Sequence, residues 1–307
     1  MKMSRNLSVS KIFGIMSMSV SRIHKNYNRK NFYSFYFFWL KIFYKHCIYT
    51  VIFFMWSYLW QNFLVDTKVQ NYIADKVRSI YEKNNLQWIV EIWPWKWAIT
   101  KKIKDISTNF FVVEKDETMR QYLSEILDEN QIKFADVLQA NISDFLPIDP
   151  SQILIVWNLP YYITSPIFRK FFASGKCVYA WWFFMIQDEV GQKIQTLATK
   201  KSYLWWLVNY AYDVVYHKTV WAKCFNPPPK VKSCLVEFRK KEILPDVWFG
   251  FLCEFLDLYS PFSRKTLWSI NKILTKQGKK SYNFPMELVW KRLEELGWID
   301  LEKGIDF

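Results

Sequence analysis

The chain has 307 residues, 51% of them hydrophobic, with a formal net charge of +14, so it can bury one large core or two modest ones. Its five cysteines, at 47, 177, 224, 234 and 253, are odd in number and form no C-x-x-C pair, which indicates neither a disulfide framework nor a zinc site and suits a reducing cytoplasm. The three histidines, His24, His46 and His217, lie away from the motifs below and argue against His-dependent hydrolysis or a His-ligated metal.

Residues 1 to 55 hold nine Lys or Arg and no Asp or Glu. Without them 42 − 9 = 33 basic residues face 28 acidic ones, so the remainder carries only about +5 and charge is a mild argument for an RNA partner. Three readings fit this first segment. A transit peptide would be basic and acid-poor, but not so aromatic as Phe32 to Trp39. A membrane helix would need a longer apolar run than Cys47 to Trp60. The favoured reading is an untranslated upstream stretch, with the start at Met55.

From Leu86 the chain reads as strand, tight loop and helix: an apolar run to Ile92, the loop at 93 to 97, then Ala98 to Ile103. A second strand, Phe110 to Val113, ends at Glu114, and a helix-like stretch follows from Glu117 to about Glu129. Glu114 lies 21 residues after Trp93, close to the interval at which a Rossmann-type unit places an acid on a ribose hydroxyl. Ile132 to Ala135 ends at Asp136, and Ile153 to Val156 leads into Trp157-Asn158-Leu159-Pro160-Tyr161. This alternation predicts a doubly wound α/β sheet, whose ligands sit beyond the carboxyl ends of the strands, where the 93 to 97 loop, Glu114, Asp136 and Asn158 all fall. After Phe225-Asn226-Pro227-Pro228-Pro229-Lys230-Val231 comes a last strand near Cys234 to Phe238. Three helices follow a charged break at 239 to 242: Asp246 to Tyr259, Ser263 to Lys276 and Pro285 to Leu296.

The loop itself is anomalous. Trp93, Trp95 and Trp97 alternate in Glu91-Ile92-Trp93-Pro94-Trp95-Lys96-Trp97-Ala98, where a loop packed against phosphate or ribose needs φ > 0 and no side chain. Pro94 argues against an aromatic strand face. The chain holds 17 Trp and 7 Gly, and 17 + 7 = 24 is close to an ordinary glycine count. Most of these tryptophans are therefore expected to be glycines encoded by UGA, a codon that some bacterial lineages read as glycine. UGG codons at 93, 95 and 97 would refute this.

Asn158-Leu159-Pro160-Tyr161 resembles the Asn/Asp-x-Pro-aromatic signature of methyltransferases that act on base amino groups. Such an amine has its lone pair delocalised into the ring. An Asn oxygen and a backbone carbonyl accepting from it would localise and aim that pair, and Tyr161 would stack on a flipped base. Taken with Gln61-Asn62-Phe63-Leu64, the Glu91 to Trp97 loop (Glu-Ile-Gly-Pro-Gly-x-Gly in the family), the 225 to 231 segment and Phe262-Ser263-Arg264-Lys265-Thr266-Leu267, the chain resembles the ribosomal RNA adenine N6,N6-dimethyltransferase family over about residues 57 to 275.

That resemblance implies a Rossmann-like class I methyltransferase domain at 56 to 240 and a small helical RNA-binding domain at 241 to 307. It implies S-adenosylmethionine as cofactor, contacted by Asn62, Leu64, Trp93, Glu114 (ribose), Asp136 (adenine amine) and Asn158. Asn158, Leu159 and Tyr161 become the catalytic residues, with an aromatic of Phe183-Phe184 covering the far face of the base. The substrate implied is two adjacent adenines near the 3′ end of small-subunit ribosomal RNA in a precursor particle, served by a cytoplasmic monomer without metal or stable membrane association. Trp60, Trp93, Trp95, Trp97 and Trp157 stand at family glycines, and Trp181, Trp221 and Trp205 or Trp206 are further candidates. Real indoles there imply a dead enzyme surviving as an RNA-binding assembly factor. A large-subunit RNA methyltransferase conferring antibiotic resistance is the third reading.

Overall fold

The computed structural model describes residues 62–94, 98–140, 142–144, 148–158, 164–172 and 179–303. The readings of residues 1 to 55 and of Trp60, Trp95 and Trp97 lie outside them.

A short strand β1 (Phe63–Leu64) pairs antiparallel with β8 (Phe225–Asn226). Asp66 then caps helix α1 (Thr67–Lys83), accepting from the Lys68 and Val69 N–H groups at 2.9 and 3.1 Å, which satisfies two of its free first-turn donors. Val69, Ile73, Val77 and Ile80 form its buried stripe, the spacing of one helical face. Strands β2 (Trp88–Ile92), β3 (Phe110–Glu114), β4 (Ile132–Phe134), β5 (Ile153–Asn158), β6 (Trp181–Gln187), β7 (Tyr212–Val220) and β9 (Ser233–Lys240) make one seven-stranded sheet in the order β4-β3-β2-β5-β6-β9-β7. β4 through β6 run parallel, and β9 and β7 close the edge antiparallel.

Alternate residues of each strand serve opposite cores, as the two-residue strand period requires. Ile89, Phe110, Val112, Leu154, Val156, Phe183, Met185 and Leu235 face α1 and α2 (Thr100–Ile103). Val90, Ile92, Val113, Ile155, Phe184, Val236 and Phe238 face the other side. That second core takes in helices α4 (Thr164–Phe172), α5 (Asp188–Ile194) and α6 (Tyr203–Asn209), and continues into α7 (Phe249–Tyr259), α8 (Leu267–Lys276) and α9 (Trp298–Lys303). The helices after Lys240 thus share an unbroken core with the sheet.

Two expected helices are absent. Between Glu117 and Glu129 there is a 3-10 turn and a single α turn, α3 (Arg120–Leu123). The chain then breaks at Asp128, whose N–H donates to Gln131 while the Gln131 amide donates to the Phe110 carbonyl. Pro285 to Leu296 is a run of turns because its carbonyls are used elsewhere: Lys291 and Val289 accept from Leu267 and Trp268, both at 2.9 Å. The segment caps α8 rather than forming its own ladder.

Candidate active site

The strand order reverses between the parallel neighbours β2 and β5, with β3 and β4 added on one side and β6 on the other, the switch point at which such sheets open a crevice. Ile92 lies against Val113 on one side and Trp157 on the other, and Glu114 lies against Phe134. Four expected site residues are therefore delivered to one carboxyl edge: Trp93, Glu114, Asp136 and Asn158.

Glu114 is buried, and its Oε1 accepts the Lys115 and Asp116 backbone N–H groups at 2.7 and 2.9 Å. Burial outweighs these bonds and pushes its carboxyl up to about 7. The Glu114 carbonyl accepts from Ala135 N–H at 2.9 Å, tying β3 to the turn that carries Asp136. Asp136 Oδ1 accepts from Leu138 N–H at 2.9 Å, and Oδ2 pairs with Lys115 Nζ at 2.9 Å. Burial raises the Asp136 carboxyl, but the hydrogen bonds from Lys115 and Leu138 prevail and hold it below the ordinary range. Lys115 thus bridges the two acids, contacting one by its backbone and the other by its ammonium. Asn158 ends β5 beside Met185 of β6 and is partly exposed.

Sequence reasoning left Glu91 and Lys115 without roles. Glu91 is buried inside an apolar strand, its carboxyl pushed up to about 8 by burial and by Glu114 nearby, with Thr100 opposing. Its Oε2 has no hydrogen-bond partner among the described residues. An acid between Val90 and Ile92, where both strand faces are buried, was the available signal.

The remaining expectations divide. Leu64 is buried on β1, and its carbonyl accepts from Gln70 Nε2 at 2.9 Å. Asn62 lies just before β1, and Leu64 belongs to the small β1–β8 ribbon rather than to the sheet edge. Leu159 and Tyr161 lie outside the described residues. Phe183 and Phe184 are 2% and 0% exposed, on opposite faces of a strand paired on both edges, and the Phe184 ring packs against Trp157 and Trp182.

Two acids at adjacent strand ends suit a ligand that offers a diol and an exocyclic amine, since both donate and carboxylates only accept. The acidic half of the site therefore fits an adenosyl cofactor. The loop half does not, because Trp93 is 9% exposed and packs edge-on against Trp157 with ring centroids 5.5 Å apart. Among the described residues no His, Cys, Asp or Glu cluster could hold a metal, and no helix is long and apolar enough to cross a membrane.

Residues 57–267 match the family model described as ribosomal RNA adenine dimethylase. The chain belongs to that family. Relatives named ribosomal RNA small subunit methyltransferase A include one from Chlamydia trachomatis serovar L2, 30% identical over 243 residues, with 78% of this chain and 82% of the relative covered. The corresponding protein of Mycoplasmoides gallisepticum is 29% identical over 244 residues, covering 78% and 83%. Among solved structures, the 23S rRNA methyltransferase ErmE aligns with a TM-score of 0.55 at 19% identity, covering 79% of this chain and 98% of that one. A dimethyladenosine transferase from Plasmodium falciparum aligns with a TM-score of 0.55 at 20% identity, covering 78% and 94%. These likenesses establish the Rossmann-like class I methyltransferase fold. The matched span of this adenine dimethylase family member contains Glu91, Glu114, Asp136 and Asn158, whereas α9 lies beyond it.

Proposed function

We propose that this chain transfers methyl groups from S-adenosylmethionine to the N6 amines of two adjacent adenines near the 3′ end of small-subunit ribosomal RNA. The observation carrying this reading is the pair Glu114 and Asp136 at neighbouring strand ends, with Asn158 at the end of β5 on the far side of β2, in a member of the adenine dimethylase family. The small-subunit relatives support that substrate over large-subunit RNA.

Glu114 would accept from the cofactor's ribose hydroxyls and Asp136 from its adenine amine, while Asn62, Leu64 and residue 93 line the same ligand. S-adenosylmethionine, when bound, supplies an activated methyl group. The chain's own work is orientation. The Asn158 side-chain oxygen and the Leu159 carbonyl accept from the target amine, drawing its lone pair out of the ring and fixing its direction. Tyr161 stacks on the base, which must leave its own stack to react. Basic side chains of residues 241 to 307 would contact phosphates, which positions the RNA without reading it. The protein acts as a monomer in the cytoplasm during ribosome assembly.

The test is methyl incorporation into small-subunit particles lacking these methyls. Transfer that survives both Asn158→Ala and Tyr161→Ala would remove the proposed catalytic residues. Binding to the particle without transfer would favour the dead assembly factor that real indoles at 93 and 157 imply.

A further inference from the structure

The acids of this site fit an adenosyl ligand and the indoles do not, and this disagreement recurs away from the loop. The described non-glycine residues with left-handed backbone are Asn85, φ 49°, and Trp93, φ 55°. Asn tolerates that conformation through its short polar side chain, whereas a bulky residue there is an outlier. Trp93 is held in it by the strand pairing, since its N–H donates to the Val113 carbonyl at 2.9 Å.

Trp157, Trp182 and Trp206 are 1%, 0% and 0% exposed. Each has an indole N–H without an acceptor, together making three of the five such buried side-chain atoms among the described residues. Natural cores satisfy buried indole N–H groups. Trp205 shows the contrast within one helix: its Nε1 donates to the Gln195 carbonyl at 3.0 Å. Two of the four misfits, Trp93 and Trp157, meet at the carboxyl ends of β2 and β5.

We infer that the working protein carries glycine at 93, 157, 182 and 206, encoded by UGA codons that its source reads as glycine. The space the indoles of Trp93 and Trp157 occupy is then open pocket beside Glu114 and Asn158. The assignment to an adenosyl pocket rests on the proposed function, whereas the residue identities do not.

Peptide mass spectrometry of the protein isolated from its source tests the identities directly. Glycine is expected at all four positions. Tryptophan at 93 overturns the proposal, and tryptophan at 157, 182 or 206 overturns it for that site. A second measurement compares the full chain as written with one carrying glycine at these four positions, using thermal unfolding and titration with S-adenosylhomocysteine. The glycine form should melt higher and bind at least tenfold more tightly. An equal or lower melting temperature counts against the proposal. Glycine in the peptides together with no binding by the glycine form would sink the adenosyl reading and leave the residue assignment standing.

Discussion

Replacing Glu114 by Gln isolates the ligand-facing half of the carboxylate from its structural half. Glu114 Oε1 accepts two backbone N–H groups, at 2.7 and 2.9 Å, and a Gln oxygen can keep both. The other oxygen becomes an amide NH2, which cannot accept from a ribose diol. Losing two hydrogen bonds to a charged group at about 1.5 kcal/mol each amounts to about 3 kcal/mol, roughly 150-fold in Kd. The pH dependence adds a second signature. Burial raises the carboxyl from 4.5 to about 7, so its contribution to folding is fully present below the unfolded value and is lost as pH rises through about 7. That difference is worth about 3 kcal/mol. Gln has no proton to lose, so the variant should gain stability over wild type above neutrality. Binding a diol favours the ionised carboxylate, so wild-type affinity should rise between pH 6 and 8 while the variant's stays flat. Isothermal titration of the glycine-bearing chain with S-adenosylhomocysteine at both pH values, alongside thermal melts, reads all three. Variant affinity within about threefold of wild type, or wild-type affinity equal at the two pH values, would rule out this role for Glu114.

Lys115→Met should weaken S-adenosylhomocysteine by several-fold and Lys115→Arg should restore it, because the ammonium orients Asp136 at 2.9 Å; the loss should vanish in an Asp136→Asn background. Asn158→Ala should abolish methyl transfer while leaving the cofactor Kd nearly unchanged, as measured by single-turnover incorporation beside calorimetry. Glu237→Gln should cost about 3 kcal/mol in denaturant unfolding, since this buried acid accepts from His217 at 2.8 Å and Arg239 at 2.7 Å. Burial raises the Glu237 carboxyl, but these bonds outweigh it and hold it below its ordinary 4.5. Its contribution is therefore present above that value and lost as pH falls, so the variant's deficit should shrink in acid.

Strands β2, β3 and β5 were legible because β3 and β5 are apolar runs ending in Glu114 and Asn158 and β2 is one broken only by Glu91, and their two-sided burial is what such runs encode. Strands β6 and β7 went unnamed. In Trp181-Trp182-Phe183-Phe184-Met185-Ile186 the aromatic density masks the period, and β7 alternates weakly because much of it is only half-buried. The last expected helix failed for another reason. Pro285 to Leu296 has helical spacing, yet the first-turn donors of α8 claim its carbonyls, a long-range demand that local pattern does not contain. At the site, Glu114 could be placed by its spacing from the loop, Asp136 by its position at a strand end and Asn158 by the Asn-Leu-Pro-Tyr motif that follows a strand. Lys115 could not, because an exposed lysine after an acid looks like any solvated residue until Asp136 is brought to it across the β3–β4 pairing.

Methyl transfer to adenine in small-subunit RNA is tested most directly by giving the chain with glycine at 93, 95, 97, 157, 182 and 206 S-adenosylmethionine and unmethylated small-subunit particles, then mapping the product nucleosides. Dimethylation of two adjacent adenines near the 3′ end is expected, and none when Asn158 is Ala. Methylation confined to large-subunit RNA, or no methylation of either subunit by this glycine-bearing chain, would contradict it.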